Sequence, residues 1–123
     1  MRRMKLYFET IHDIVNIFKI FRHENNKEDI LMLIQNHHEA ECFSEMVNFI
    51  QTDYPHECFT EYKKKIDLIL QETDVRKYQE AVYHLTRMKK IGQVSEFSAY
   101  INSIKTAYWR RRRLMEEMKG HGL

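Results

Sequence analysis

Residues 78–91, YQEAVYHLTRMKKI, and residues 95–118, SEFSAYINSIKTAYWRRRRLMEEM, meet across a single glycine, Gly92. In the first run Tyr78, Ala81, Val82, Leu85, Met88 and Ile91 recur every three or four positions. At about 100° per residue that spacing lays them along one stripe of a helix. Glu80, Arg87, Lys89 and Lys90 take much of the other side. Two lysines suit a helix C-terminus, and a residue without Cβ can turn the chain left-handed, so the helix should stop at Gly92. Ser95 then reads as the N-cap of a second helix, with Val94 just outside it. Phe97, Ile101, Ile104, Tyr108, Met115 and Met118 continue its stripe, skipping a turn at Arg111. So short a link predicts an antiparallel hairpin.

The rest of the chain is read outward from that hairpin. In 123 residues there are only three glycines and one proline, and 43% of the residues are hydrophobic. So few breakers argue against a strand-rich fold and for long helices with short links. From Arg3 to His23 eleven apolar residues crowd one helix, more than a single stripe holds. That surplus predicts a central helix or a face offered to another chain, with Tyr7, Phe8, Ile14 and Phe18 as the contact candidates. Asn26 followed by Asp29 reads as an N-cap and first-turn acid opening a short helix to about His37. A third helix is expected over about Glu39 to Thr52. Tyr54-Pro55 ends it and opens a fourth, to about Gln71, because a residue before proline avoids the α region while proline suits a first helical position. The fold class is therefore all-α: about six helices in antiparallel pairs, as a short helical-repeat solenoid or an irregular bundle. With no linker or low-complexity stretch, residues 1–123 read as a single domain.

One internal similarity stands out. Residues 43–54, FSEMVNFIQTDY, align without gaps onto residues 97–108, FSAYINSIKTAY. Helical repeats produce such echoes, because each unit buries its face only on the next. Two amphipathic helices also share residue types without any common origin.

The formal charge of +2 points to no partner class, but its distribution is uneven. Residues 1–22 carry five bases and two acids, residues 24–74 four bases and twelve acids, and residues 76–119 eleven bases and four acids. Trp109-Arg110-Arg111-Arg112-Arg113 is the densest signal. Four consecutive helical residues cover roughly 300° of circumference, so one of these arginines must approach the buried side or the helix must project past its neighbours. Guanidinium forks suit phosphate oxygens and Trp109 could stack on a base, which makes this run a nucleic-acid contact candidate. The competing reading is a solvated face, with Glu116 and Glu117 four residues beyond Arg112 and Arg113.

Metal and catalytic chemistry find little footing. Glu9 and His12 form one E-x-x-H, whereas di-iron bundles use that motif twice. His38 and Cys42 sit at i and i+4, and His56 and Cys58 near a helix start, but the spacing follows no zinc finger. No G-x-S-x-G, H-E-x-x-H or glycine-rich phosphate loop occurs. No catalytic residue, metal or cofactor is expected. Cys42 and Cys58 are too few for a disulfide scaffold and fit a reducing cytoplasm. Lys5, Glu9, Asp13 and Lys19 interrupt the first helix, so no membrane span is expected.

The residues Tyr54-Pro55, Tyr62, Tyr78-Gln79-Glu80-Ala81, Leu85, Met88-Lys89-Lys90, Phe97, Tyr100-Ile101, Tyr108 and Arg112-Arg113-Leu114-Met115-Glu116-Glu117 carry a resemblance. Over about residues 54–118 the chain resembles the C-terminal helical region of bacterial SWIM zinc-finger family proteins. In that family zinc is held by a C-x-C, C-x-H motif upstream of the helices, and this sequence lacks it. The resemblance implies a helical accessory region, a piece of a longer protein, and transfers no zinc-binding or DNA-binding residue. The expected function is thus a non-catalytic interaction or scaffold module whose partner is another protein or a second copy. The alternative is nucleic-acid backbone binding through Arg110 to Arg113.

Overall fold

The computed structural model describes residues 11–123, and side chains from Asp13 onward. Tyr7 and Phe8 lie outside the described residues. The described chain is helical with no strand, in seven helices: α1 (Ile11–His23), α2 (Lys27–Asn36), α3 (Phe43–Ile50), α4 (Pro55–Ile69), α5 (Val75–Lys89), α6 (Val94–Tyr108) and α7 (Arg112–Gly120). The chain divides into two compact units, Met1–Glu61 and Tyr62–Leu123, with the boundary inside the residue range of α4.

In the first unit α1 packs on α2 and α2 on α3. Ile14, Ile17, Phe18 and Phe21 of α1, Ile30, Leu33 and Ile34 of α2, and Phe43, Met46, Val47 and Ile50 of α3 are buried at helical spacing. The link from α1 to α2 is built from local hydrogen bonds. Asn26 N–H donates to Phe21 O at 2.8 Å and Asn25 N–H to Arg22 O at 3.0 Å, the Schellman pair that closes a helix. Asn25 holds φ +55°, a left-handed backbone that asparagine tolerates better than most residues. Asn26 then caps α2, its Oδ1 accepting from Asp29 N–H at 3.3 Å, as the Asn26/Asp29 spacing predicts. The start of α2 is tied to the end of α3 by the Lys27–Asp53 ion pair, with Lys27 Nζ 5.7 Å from the centre of the Phe49 ring.

In the second unit α5 packs on α6 and α7, and α6 on α7. Tyr62, Ile66 and Leu70, then Tyr78, Ala81, Val82, Leu85 and Met88, then Phe97, Tyr100, Ile101 and Ile104, then Leu114 and Met118 fill its interior. Asp74 caps α5 by accepting from Arg76 N–H at 3.1 Å. Gly92 takes φ +95°, the left-handed turn expected after two lysines. Ser95 does not cap α6. That helix begins one residue earlier, at Val94, with Gln93 in the cap position and no side-chain bond.

The run read as one helix from Ser95 to Met118 is two, which raises the count from six to seven. Trp109 and Arg110 form a turn, Arg111 N–H donates to Tyr108 O at 2.8 Å, and Arg111 O accepts from Met115 N–H to start α7. The internal echo holds for burial rather than for length. Phe43, Met46, Val47 and Ile50 are buried, and so are their counterparts Phe97, Tyr100, Ile101 and Ile104. But α3 ends at Ile50 while α6 runs on to Tyr108.

Candidate interaction surface

The break between α6 and α7 exists because Arg111 has partners distant in sequence. Its Nη1 donates to the carbonyl of Leu70 at 2.5 Å and reaches that of Glu72 at 3.5 Å. Those carbonyls follow the last turn of α4, where helix geometry leaves C=O groups without intrahelical donors and the dipole favours a cation. The same guanidinium lies 4.3 Å from the Tyr108 ring centre and 6.0 Å from that of Tyr78. Arg111 is therefore the arginine that approaches the buried side, and it does so as a cap on α4.

With Arg111 turned inward, its neighbours turn out. Trp109 is 64% exposed, and the Arg110 guanidinium lies 5.0 Å from its ring centre. Arg112 and Arg113 are exposed in the first turn of α7. Arg113 reaches Glu116 at 3.8 Å, whereas Arg110 and Arg112 have no carboxylate partner among the described residues. The five residues Trp109 to Arg113 thus separate into one anchor, Arg111, and an exposed aromatic and cationic corner.

Of the four residues expected to form the other contact surface, the two within the described residues, Ile14 and Phe18, are buried. Ile14 is 1% and Phe18 2% exposed, with the Arg22 guanidinium over the Phe18 ring at 5.0 Å. Both side chains pack in the core of the first unit, and among the described side chains of α1 Ile20 is the large apolar one left open.

The histidines and cysteines disperse. Cys42 and Cys58 are free and buried. Burial pushes the Cys58 thiol up to about 12, with Glu57 and Glu61 adding to it, and burial raises Cys42 too. His38 pairs with Glu61 at 2.6 Å, joining the α2–α3 link to α4 around a carboxylate only 3% exposed. No three His, Cys, Asp or Glu side chains converge as metal ligands among the described residues.

In the second unit His84 is buried against Tyr62 and Tyr83, with ring centres 5.8 and 5.2 Å away. Burial lowers its pKa to about 4, helped by Lys65 and Arg87, and keeps the ring neutral. Tyr100 donates to Asp67 Oδ1 at 2.6 Å, which pins α6 to α4, and burial with that bond raises its phenol pKa. An open cleft of about 390 Å³ is lined by the apolar Val94, Phe97, Ile101 and Leu123 together with the polar Lys89, Ser98 and Asn102. Periodicity could not flag Glu61 or His84, since each occupies a position that an apolar residue would normally fill.

The fold defines an all-helical chain, and no described helix is long and apolar enough to cross a membrane. No protein-family model, curated protein or solved structure matches it.

Proposed function

We propose that this chain is a non-catalytic helical interaction module, the accessory region of a SWIM zinc-finger-like protein, and that it meets its protein partner through the α6–α7 corner. The observation that carries the reading is Trp109: 64% exposed, stacked by Arg110, and held on a turn that Arg111 fixes to α4. Tryptophan and arginine supply much of the binding free energy at protein interfaces, and a side chain already held in place loses little entropy on contact. The resemblance of residues 54–118 to a helical accessory region points the same way. Two free thiols, Cys42 and Cys58, fit a cytoplasmic setting.

A second reading has its own observation. Arg110 and Arg112 have no carboxylate partner among the described residues, so both are available to phosphate oxygens with Trp109 as a stacking surface. Photo-crosslinking in cells from a photoreactive residue replacing Arg110 separates the two. Protein adducts at 110, absent when the same group replaces exposed Tyr83, support the module. Nucleic-acid adducts support the second reading, and no adduct of either kind contradicts both.

A further inference from the structure

The two compact units carry opposite net charge. Residues 1–61 hold eleven acidic and six basic residues, and residues 62–123 hold seven acidic and fourteen basic. Of the ten acids from Asp13 to Glu61, seven are exposed, among them Glu41 before α3 and Glu45 in its first turn. Neither Glu41 nor Glu45 has an ion-pair partner among the described residues. The exposed corner of the second unit has the opposite character, with Arg110 over the Trp109 ring and Arg112 exposed at the start of α7.

We infer that the corner docks on the acidic first unit of a second copy of this chain, so that copies associate head to tail. The inference rests on the reading of the corner as a contact surface. Charge complementarity selects the occupant. The formal net charge of +2 leaves little bulk attraction for a polyanion. A second copy offers carboxylates to the arginines and finds arginines for its own carboxylates. Because the two docked surfaces differ, the contact is heterologous, and it either closes into a ring or propagates. Trp109 gives the contact an apolar centre ringed by charge, the pattern of interfaces whose arginines set orientation and encounter rate.

Sedimentation velocity on the full chain tests this. At about 50 mM salt the weight-average mass should climb with concentration, and at about 0.5 M salt it should fall back to the monomer, because screening shortens the reach of charge from above 10 Å to a few ångströms. The double variant Arg110→Glu/Arg112→Glu should weaken association more than about tenfold, and so should Glu41→Lys/Glu45→Lys. Both alter exposed positions and should keep the wild-type circular dichroism. Mixing the two variants should restore association, since each supplies the surface that the other has inverted. Trp109→Ala, which leaves every charge in place, should also weaken it.

A chain that stays monomeric at low salt overturns the inference, as does association indifferent to salt, or a mixture no better than its components. A monomer that binds a single-stranded oligonucleotide at physiological salt overturns it in favour of the nucleic-acid reading. A monomer whose position 110 crosslinks to a different protein removes the head-to-tail contact and leaves the module reading intact. An adduct joining position 110 to a residue of the first unit of another copy supports both.

Discussion

The guanidinium of Arg111 donates to the carbonyl of Leu70 across 41 residues of sequence, and that one contact fixes where α6 ends and α7 begins. Four arginines in a row contain no residue that breaks a helix, and arginine favours one. The turn at Trp109 and Arg110 is therefore imposed by tertiary structure, through carbonyls at the end of α4 that need a donor.

Arg111→Ala should destabilise the chain by about 1–2 kcal/mol, the range for a charge-assisted bond lost from a half-buried site. Arg112→Ala, one residue on and exposed, should stay within about 0.5 kcal/mol of wild type. Urea unfolding of the two variants side by side makes the comparison. Equal losses would mean that Arg111 is no anchor.

Gly92→Ala should lower stability by about 1 kcal/mol, because φ +95° disfavours any L residue with a Cβ. A Cβ there would meet no atom within 4 Å, so the loss comes from backbone conformation alone. Asn25→Gly, at φ +55°, should be close to neutral or slightly stabilising, whereas Asn25→Val should be clearly destabilising. Thermal melts of the three variants test the pattern.

His84 makes stability depend on pH in a definite window. Its pKa falls from 6.5 to about 4 on folding, so between those values the unfolded chain binds the proton more readily than the folded one. The contribution is complete above 6.5 and is lost as pH falls toward 4, by up to about 3 kcal/mol. Denaturant midpoints for His84→Phe should show a shallower acid slope than wild type over this range. Identical slopes would place the acid sensitivity elsewhere.

Cys42 and Cys58 should resist thiol reagents in the folded protein, because burial raises both pKa values and the thiolate is the reactive form. An Ellman assay at pH 8 should count both thiols promptly in guanidinium and neither in the native state. Prompt reaction of either native thiol would mean that its cover opens readily.

Much of the helical framework can be read from the sequence, because its signals are local. The stripe Ile30, Leu33 and Ile34, the Asn26 cap, proline at the head of α4 and the glycine turn at 92 all act within a few residues. Tertiary partners decide the rest. The surplus of apolar residues before His23 fits a central helix or a face for another chain, and Ile14 and Phe18 go to the core of the first unit, a choice their own spacing cannot make. Glu61 and His84 sit inside because His38 pairs with one and tyrosine rings cover the other. No pattern in their own helices announces either. The corner showed a trace in advance: the skipped turn at Arg111 marked a position where the stripe failed, though not the carbonyls that explain it.

The most direct measurement is the fluorescence of Trp109, the single tryptophan of the chain. In the dilute protein its emission should be red-shifted and open to acrylamide, while its anisotropy stays high and drops in Arg111→Ala. A blue-shifted, quencher-protected emission from the dilute chain would put Trp109 inside the fold, and the corner would then be no surface for any partner.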